Sequence, residues 1–236
     1  MKEYKNYLFD LYGTLVDIHT DEEQDLLWQK MAIFLASYGG HCTPAELKAL
    51  YTARITELET VARRQLGSGA EIDIGPVFAS MLKECGLQTD TGAVEQLAWT
   101  FRLLSSQKLR LFPGVSGMLR RLRQQGKGVY LLSNAQELFT LPELKALDLL
   151  QYFDGIVISS REGLKKPDPR LYRLVLDRYG LMPEETVMVG NDDKADCWGA
   201  YTAGLDSMYV YTEQSPVRIR PLPAKCRMLD DISQVF

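Results

Sequence analysis

Four short stretches of this 236-residue chain end apolar runs with reactive side chains. Tyr7-Leu8-Phe9 stops at the carboxylate of Asp10, and Gly13 then forces a turn, with Thr14 directly behind it. Gly128 to Leu132 ends in the hydroxyl of Ser133 and the amide of Asn134. Gly155 to Ile158 is followed by Lys165-Lys166-Pro167, and Thr186 to Val189 by Gly190-Asn191-Asp192-Asp193, with Asp196 close behind. Carboxylate, hydroxyl, ammonium and carboxylate cluster are the parts needed for nucleophilic displacement on an anionic substrate. An aspartate with an ordinary pKa of about 3.9 needs no base to activate it, but positive charge must be supplied before an anion can approach. Asp10 is equally a residue type that caps turns. Asp192 and Asp196 stand i, i+4 around a predicted helix start. With Asp10 they offer oxygen ligands to a hard cation such as Mg2+, or they simply complement a helix dipole.

The elements that must bring these groups together follow from the same runs. Each run is short and apolar throughout, as a buried parallel strand requires. In an open α/β sheet, ligands sit outside the carboxyl ends of the strands. From Leu109 onward helix and strand alternate, as crossover units demand. A helix ends near Gln125-Gly126, helices from Gln136 to Leu150 are interrupted at Pro142, and the helix Arg170 to Tyr179 closes at Gly180. A helix from about Asp196 to Ala203 precedes a strand at Ser207 to Tyr211, and a last short strand and helical turn lie within Lys225 to Phe236.

Between Asp17 and Asp90 the pattern is helical, with no strand signal. Asp25 to Tyr38 carries Leu27, Met31, Phe34 and Leu35 at helical spacing. Thr43-Pro44-Ala45-Glu46 is a capping box that opens a helix running to about Leu66, where Gly67-Ser68-Gly69 breaks it. Val77 to Cys85 and Gly92 to Ser105 make two more amphipathic helices. The expected organisation is an α/β core of residues 1–17 and 91–236 with a helical bundle, residues 18–90, inserted as a lid. Trp28, Met31 and Phe34 read as bundle core rather than as a cofactor box.

Taken in order, the four stretches resemble the four motifs of the haloacid dehalogenase-like hydrolase superfamily. The resemblance covers nearly the whole chain, although residues 18–91 contribute only position and helical character. It implies a Rossmann-like parallel sheet with an α-helical cap inserted after the first motif. It implies Asp10 as a nucleophile that forms a covalent intermediate, and Lys166, by register with the third motif, as the neutralising ammonium in preference to Lys165. Thr14, Ser133 and the backbone around Leu11, Tyr12 and Asn134 would hold a phosphoryl or carboxylate oxygen. The implied cofactor is Mg2+, on Asp10, Tyr12, Asp192 and Asp196. Asn191 stands where most relatives carry the first aspartate, which shifts the ligand to Asp192, with Asp193 as a substitute.

The implied activity is a magnesium-dependent phosphatase acting on a small phosphorylated metabolite. Tyr12 departs from that pattern, because phosphatase relatives usually carry a second aspartate two residues after the nucleophile. General acid–base catalysis contributes about 10²–10⁴-fold, so its loss favours substrates with a good leaving group, such as acyl phosphates. The run Phe9 to Leu15 also resembles the L-2-haloacid dehalogenases, whose reaction needs neither a leaving-group proton nor a metal. Against that alternative, Thr52 stands where those enzymes carry a substrate-binding arginine, with Arg54 close by. Asp192, Asp193 and Asp196 without a cation would also repel a haloacid. A catalytically silent ligand-binding relative is the third reading.

A formal charge of −4 argues against a nucleic-acid grip, and the densest basic run, Arg120-Arg121-Leu122-Arg123, reads as a solvated helix face. No apolar run is long enough to span a bilayer and no signal peptide precedes the first strand, so the expected location is the cytoplasm. The expected partner is a small molecule, with neither nucleic acid nor membrane. Arg54, Arg63, Arg64 and Arg102 are candidates for selecting it. Cys42, Cys85, Cys197 and Cys226 show no metal-ligand spacing and read as reduced thiols.

Overall fold

The computed structural model describes residues 2–235. Strand β1 (Asn6–Phe9) is followed by β2 (Val16–Thr20), four helices, α1 (Asp25–Ser37), α2 (Pro44–Leu66), α3 (Gly75–Glu84) and α4 (Thr91–Ser105), and then β3 (Ser106–Leu111). Helix and strand then alternate through α5 (Val115–Gln124), β4 (Gly128–Ser133), α6 (Glu137–Ala146) and β5 (Gly155–Ile158). After the single turn α7 (Ser159–Glu162) come α8 (Pro169–Tyr179), β6 (Thr186–Gly190) and a π-helical turn, Asp193–Trp198. The chain finishes with α9 (Gly199–Thr202), β7 (Asp206–Val210) and β8 (Cys226–Leu229).

Six strands form one parallel sheet in the order β5-β4-β1-β6-β7-β8. β1 is interior because both of its faces are apolar: successive side chains point to opposite sides. Tyr7 and Phe9 join Val129, Leu131, Val187 and Val189 under α5, while Leu8 packs with Leu132, Met188 and the α8 residues Tyr172 and Val175. The α/β class and the parallel core stand as the sequence predicts.

The helical block differs from expectation at both ends. Leu97, Ala98 and Phe101 of α4 pack with Leu27, Trp28, Met31, Tyr51 and Phe78, so the bundle runs through Ser105 and a boundary at residue 90 falls inside it. Residues 18–20 are strand, not the start of a helical block. β2 pairs antiparallel with β3, from Val16 opposite Leu111 to Ile18 opposite Leu109. Pro142 does not interrupt α6 but lies within it. It gives up only the bond to the Leu138 carbonyl, while buried Phe139, Glu143 and Leu144 hold the helix in place on either side. The capping box forms as predicted, with the Thr43 amide donating to Glu46 Oε2 at 2.8 Å.

Cys42 and Cys85 correct the expectation of four reduced thiols, for they form a disulfide across 43 positions. Cys42 precedes the cap of α2 and Cys85 ends α3, and the bundle brings these ends together, the His41 amide donating to the Cys85 carbonyl at 3.2 Å. Cys197 and Cys226 are free. Among the described residues no helix is long and apolar enough to cross a membrane.

The β2–β3 ribbon is tied down by Asp17, whose carboxylate accepts from Arg110 Nε at 2.9 Å, Lys108 Nζ at 3.2 Å and Gln214 Nε2 at 2.6 Å. Burial pushes the Asp17 carboxyl up, but the two cations outweigh it and hold it below its ordinary value. A depressed folded-state pKa contributes stability above the unfolded value that disappears as pH falls through the folded one. Asp17→Asn therefore lowers stability at pH 7 by about 1 kcal/mol, the cation partners being partly solvent-screened. Urea melts should show that deficit closing as the pH falls through the lowered Asp17 pKa. An equal deficit at both pH values would contradict the assignment.

Candidate active site

Because β1 lies between β4 and β6, the carboxyl ends of three adjacent strands place Asp10, Ser133 and Asn191 side by side. The Asp10 amide donates to the Val189 carbonyl at 2.9 Å, extending the ladder one step beyond β1 and fixing the carboxylate at the strand mouth. Lys166 Nζ lies 2.8 Å from Asp10 Oδ1 and 2.7 Å from Asp196 Oδ1. Thr14 Oγ1 is 2.9 Å from Asp10 Oδ2 and 3.2 Å from Asn191 Oδ1. The other lysine, Lys165, turns toward Glu71, 3.9 Å away.

Each of these side chains is held from behind. The Asn134 carboxamide grips the Lys166 peptide on both sides, Nδ2 donating to its carbonyl at 2.9 Å and Oδ1 accepting from its amide at 2.7 Å. Asp196 sits on the π-helical turn, where the Tyr172 hydroxyl donates to the carbonyls of Ala195 at 2.6 Å and Asp196 at 3.2 Å. Its Oδ2 accepts from the Asp192 amide at 3.0 Å. Gly190 has to lack a side chain, since a Cβ there would stand 2.1 Å from Asp196 Oδ2. Gly13 is bound twice over, by a φ of +81° and by Asn191 Nδ2 lying 2.4 Å from where its Cβ would be.

Burial decides the electrostatics. Asp10, Lys166 and Asp196 are 8%, 3% and 1% exposed. Burial works against the Lys166 ammonium, but Asp10 and Asp196 outweigh it and hold it protonated. Burial pushes the Asp196 carboxyl above its ordinary value, with Lys166 pulling against it and Asp10 adding to the rise. Two carboxylates thus share one ammonium. Nearby, Ser133 Oγ is buried without a hydrogen-bond partner, a costly state unless a ligand oxygen satisfies it.

The side chains of three predicted site residues make bonds of their own, which leaves the backbone groups expected of Tyr12 and Asn134 unaffected. Asp192 Oδ1 caps the turn, accepting from the amides of Lys194 and Ala195 at 2.8 Å each. Asn191 Oδ1 accepts from Thr14 Oγ1. The Asn134 side chain is spent on Lys166. The Tyr12 hydroxyl donates to Glu143 Oε2 at 2.5 Å and lies 3.1 Å from Thr140 Oγ1. Burial and then Glu143 push this phenol above its ordinary value, so it stays protonated. Arg102, from α4, closes the group with Nε 2.5 Å from Glu143 Oε1 and its guanidinium 5.7 Å from the Tyr12 ring centre. Of the candidate arginines, Arg102 is therefore neutralised, and Arg54 and Arg63 bond to Glu57 and Glu59 of their own helix.

The bundle reaches the site through the segment after α2. Ala70 bridges Leu164, and the Lys165 amide donates to the Gly69 carbonyl at 2.8 Å. Gln136 clamps the Ile72 carbonyl and the Ile74 amide, each at 2.9 Å. The loops that carry Ser133 and Lys166 are thus both fastened to the bundle.

A divalent cation fits the donors present. Asp10 and Asp196 are hard oxygen donors that one ammonium leaves incompletely neutralised, and the Asn191 amide oxygen stands beside them. Mg2+ is ordinarily held by one or two carboxylates, with waters and substrate oxygens completing the shell. Among the described residues no three His, Cys, Asp or Glu side chains gather into a cage.

Residues 4–204 match the family model described as haloacid dehalogenase-like hydrolase. A phosphoserine phosphatase of Thermus thermophilus is 34% identical over 137 residues, covering 57% of this chain and 53% of that protein, so the match spans about half of that relative's length. A glyceraldehyde 3-phosphate phosphatase of Pyrococcus furiosus is 30% identical over 209 residues, covering 89% of this chain and 81% of the relative. A 2-haloacid dehalogenase from Pseudomonas syringae pv. Tomato DC3000 shares the fold, with a TM-score of 0.65 at 20% identity over 98% of this chain and 96% of its own.

Proposed function

The chain belongs to the haloacid dehalogenase-like hydrolase family, and from that premise we propose that this hydrolase is a magnesium-dependent phosphatase acting on a small phosphorylated metabolite. The observation that carries the proposal is the Lys166 ammonium set between Asp10 and Asp196, with the unpartnered Ser133 hydroxyl nearby. Phosphatase relatives support it.

Asp10 attacks phosphorus through a carboxylate oxygen. An O–P bond forms, the bond to the leaving oxygen breaks, and water later cleaves the aspartyl phosphate. Lys166, Ser133 Oγ and Thr14 Oγ1 hold the phosphoryl oxygens and offset their charge, with the backbone of Leu11, Tyr12 and Asn134. Asp10, Asp196 and Asn191 would hold Mg2+, which supplies further positive charge against those oxygens when bound. No carboxylic acid follows Asp10 to protonate the departing oxygen, and the Tyr12 proton is committed to Glu143. The favoured substrates are accordingly those whose leaving group departs as a stable anion.

Tyr12 itself favours the second reading, displacement of halide from a 2-haloacid by Asp10. The two separate cleanly. Phosphate release from acetyl phosphate should require Mg2+ and stop with EDTA. Halide release from L-2-chloropropionate that survives EDTA, with no phosphate release from any ester, would replace the phosphatase assignment with the dehalogenase.

A further inference from the structure

Asn191 meets the candidate site with a carboxamide, whose two ends are alike in size and opposite in hydrogen-bonding character. What faces each end decides which way it sits. Thr14 alone does not decide it. Its hydroxyl has one proton, shared between Asp10 Oδ2 at 2.9 Å and Asn191 Oδ1 at 3.2 Å, and its lone pairs would receive an NH2 group equally well. The nitrogen end lies 3.5 Å from the hydroxyl of Thr212, just beyond β7. That hydroxyl donates to the Gly13 carbonyl at 2.7 Å. A carbonyl only accepts, so the Thr212 proton is spent there and only lone pairs remain for Asn191. An amide NH2 suits that position, and an amide oxygen would be repelled from it.

We propose that Thr212 is a positioning residue: by accepting from Asn191 Nδ2 while it donates to Gly13, it keeps the Asn191 oxygen turned toward Thr14, where a divalent cation can use it. The consequence for metal rests on the magnesium reading above. An amide oxygen served by a shared proton keeps lone pairs for a cation, and a neutral ligand adds no third carboxylate to the two that face Lys166. The reversed amide would present two N–H donors to the same place and repel the ion.

Thr212 is itself held in place. Its amide donates to Ser215 Oγ at 2.9 Å, and its carbonyl accepts from the Ser215 amide at 3.0 Å, closing a tight turn. Gln214, inside that turn, donates to the Ile18 carbonyl at 2.8 Å and moors it to β2. The nitrogen side of Asn191 also packs against bare backbone, since a Cβ at Gly13 would stand 2.4 Å from Nδ2. Hydroxyl, glycine and carboxamide thus interlock at the turn between Asp10 and Thr14.

The experiment reads metal binding rather than turnover. Mn2+, which like Mg2+ favours oxygen ligands, is titrated into the full chain while electron paramagnetic resonance counts the free ion. Thr212→Val keeps the shape, removes the hydroxyl and should weaken binding by about 10-fold, the usual scale for a group that orients a metal ligand. Thr212→Ser, which retains the hydroxyl, should bind like the wild type. In an Asn191→Asp background both ends of the side chain are oxygens, so the same Thr212→Val change should cost no more than about 2-fold. Thr212→Ala makes the comparison if the valine variant folds poorly. A wild type and a Thr212→Val variant that bind Mn2+ equally overturn the role of Thr212 and leave the magnesium reading standing. An equal loss in both backgrounds also overturns it, because the effect would then lie in the Gly13 turn and not in the amide. A wild type that binds no Mn2+ overturns the magnesium reading, and the role of Thr212 with it.

Discussion

Asp10→Asn stops phosphate release, by about 10⁴-fold or more, while the protein keeps its fold. Loss of a nucleophile commonly costs this much, because a neutral amide cannot form the covalent intermediate and only binding and charge stabilisation remain. Stability should move little. The asparagine oxygen can accept from Lys166 where Asp10 Oδ1 does now, at 2.8 Å, and the ammonium keeps Asp196 at 2.7 Å. No buried charge is orphaned, and a pocket with two carboxylates for one ammonium becomes balanced. Phosphate release and thermal melting on the same preparation check both halves. Undiminished turnover in a folded variant would mean that another group attacks.

Arg102→Ala has the largest expected effect on stability, a loss of about 3–5 kcal/mol. Arg102 is 9% exposed and Glu143 1%, so truncating the arginine leaves a carboxylate out of water with only the Tyr12 hydroxyl to face it. The lesion also removes the ion pair that joins α4 of the bundle to α6 of the core, and the guanidinium loses its place 5.1 Å from the Phe139 ring centre. Combining Arg102→Met with Glu143→Leu should recover much of the loss, because an apolar pair carries no desolvation penalty. Urea denaturation of both variants measures the difference. A single variant that unfolds like the wild type would show that water reaches Glu143.

The sheet was legible because its strands are buried on both faces. Runs such as Thr186 to Val189 and Gly155 to Ile158 carry that signature without help from distant residues. Asp10, Ser133 and Lys166 were legible for the same reason, since each follows such a run. What escaped depends on pairings far apart in the chain. Val16 and Ile18 make too short an alternation to announce a strand, and their partners Leu111 and Leu109 lie beyond the whole bundle. The group of Tyr12, Arg102 and Glu143 spans separations of 41 and 131 positions, and none of its members has a local signature. The turn that carries Asp192 was less legible for a different reason. The i, i+4 spacing presumes an α-helix, whereas Asp193–Trp198 winds as a π-turn that uses Asp192 as its cap and leaves Asn191 facing Thr14. The disulfide had no signal at all.

The ribbon of β2 and β3 makes the bundle a detachable cassette. Thr20 lies opposite Ser106, so everything between them departs from and returns to a single spot on the chain's path. A short loop joining those two positions would excise the cassette, and a foreign one could be grafted at the same seam without re-threading any strand of the sheet. The recipient would have to supply cover for Phe139, a counter-ion for Glu143 and partners for the Gln136 carboxamide and the Lys165 amide.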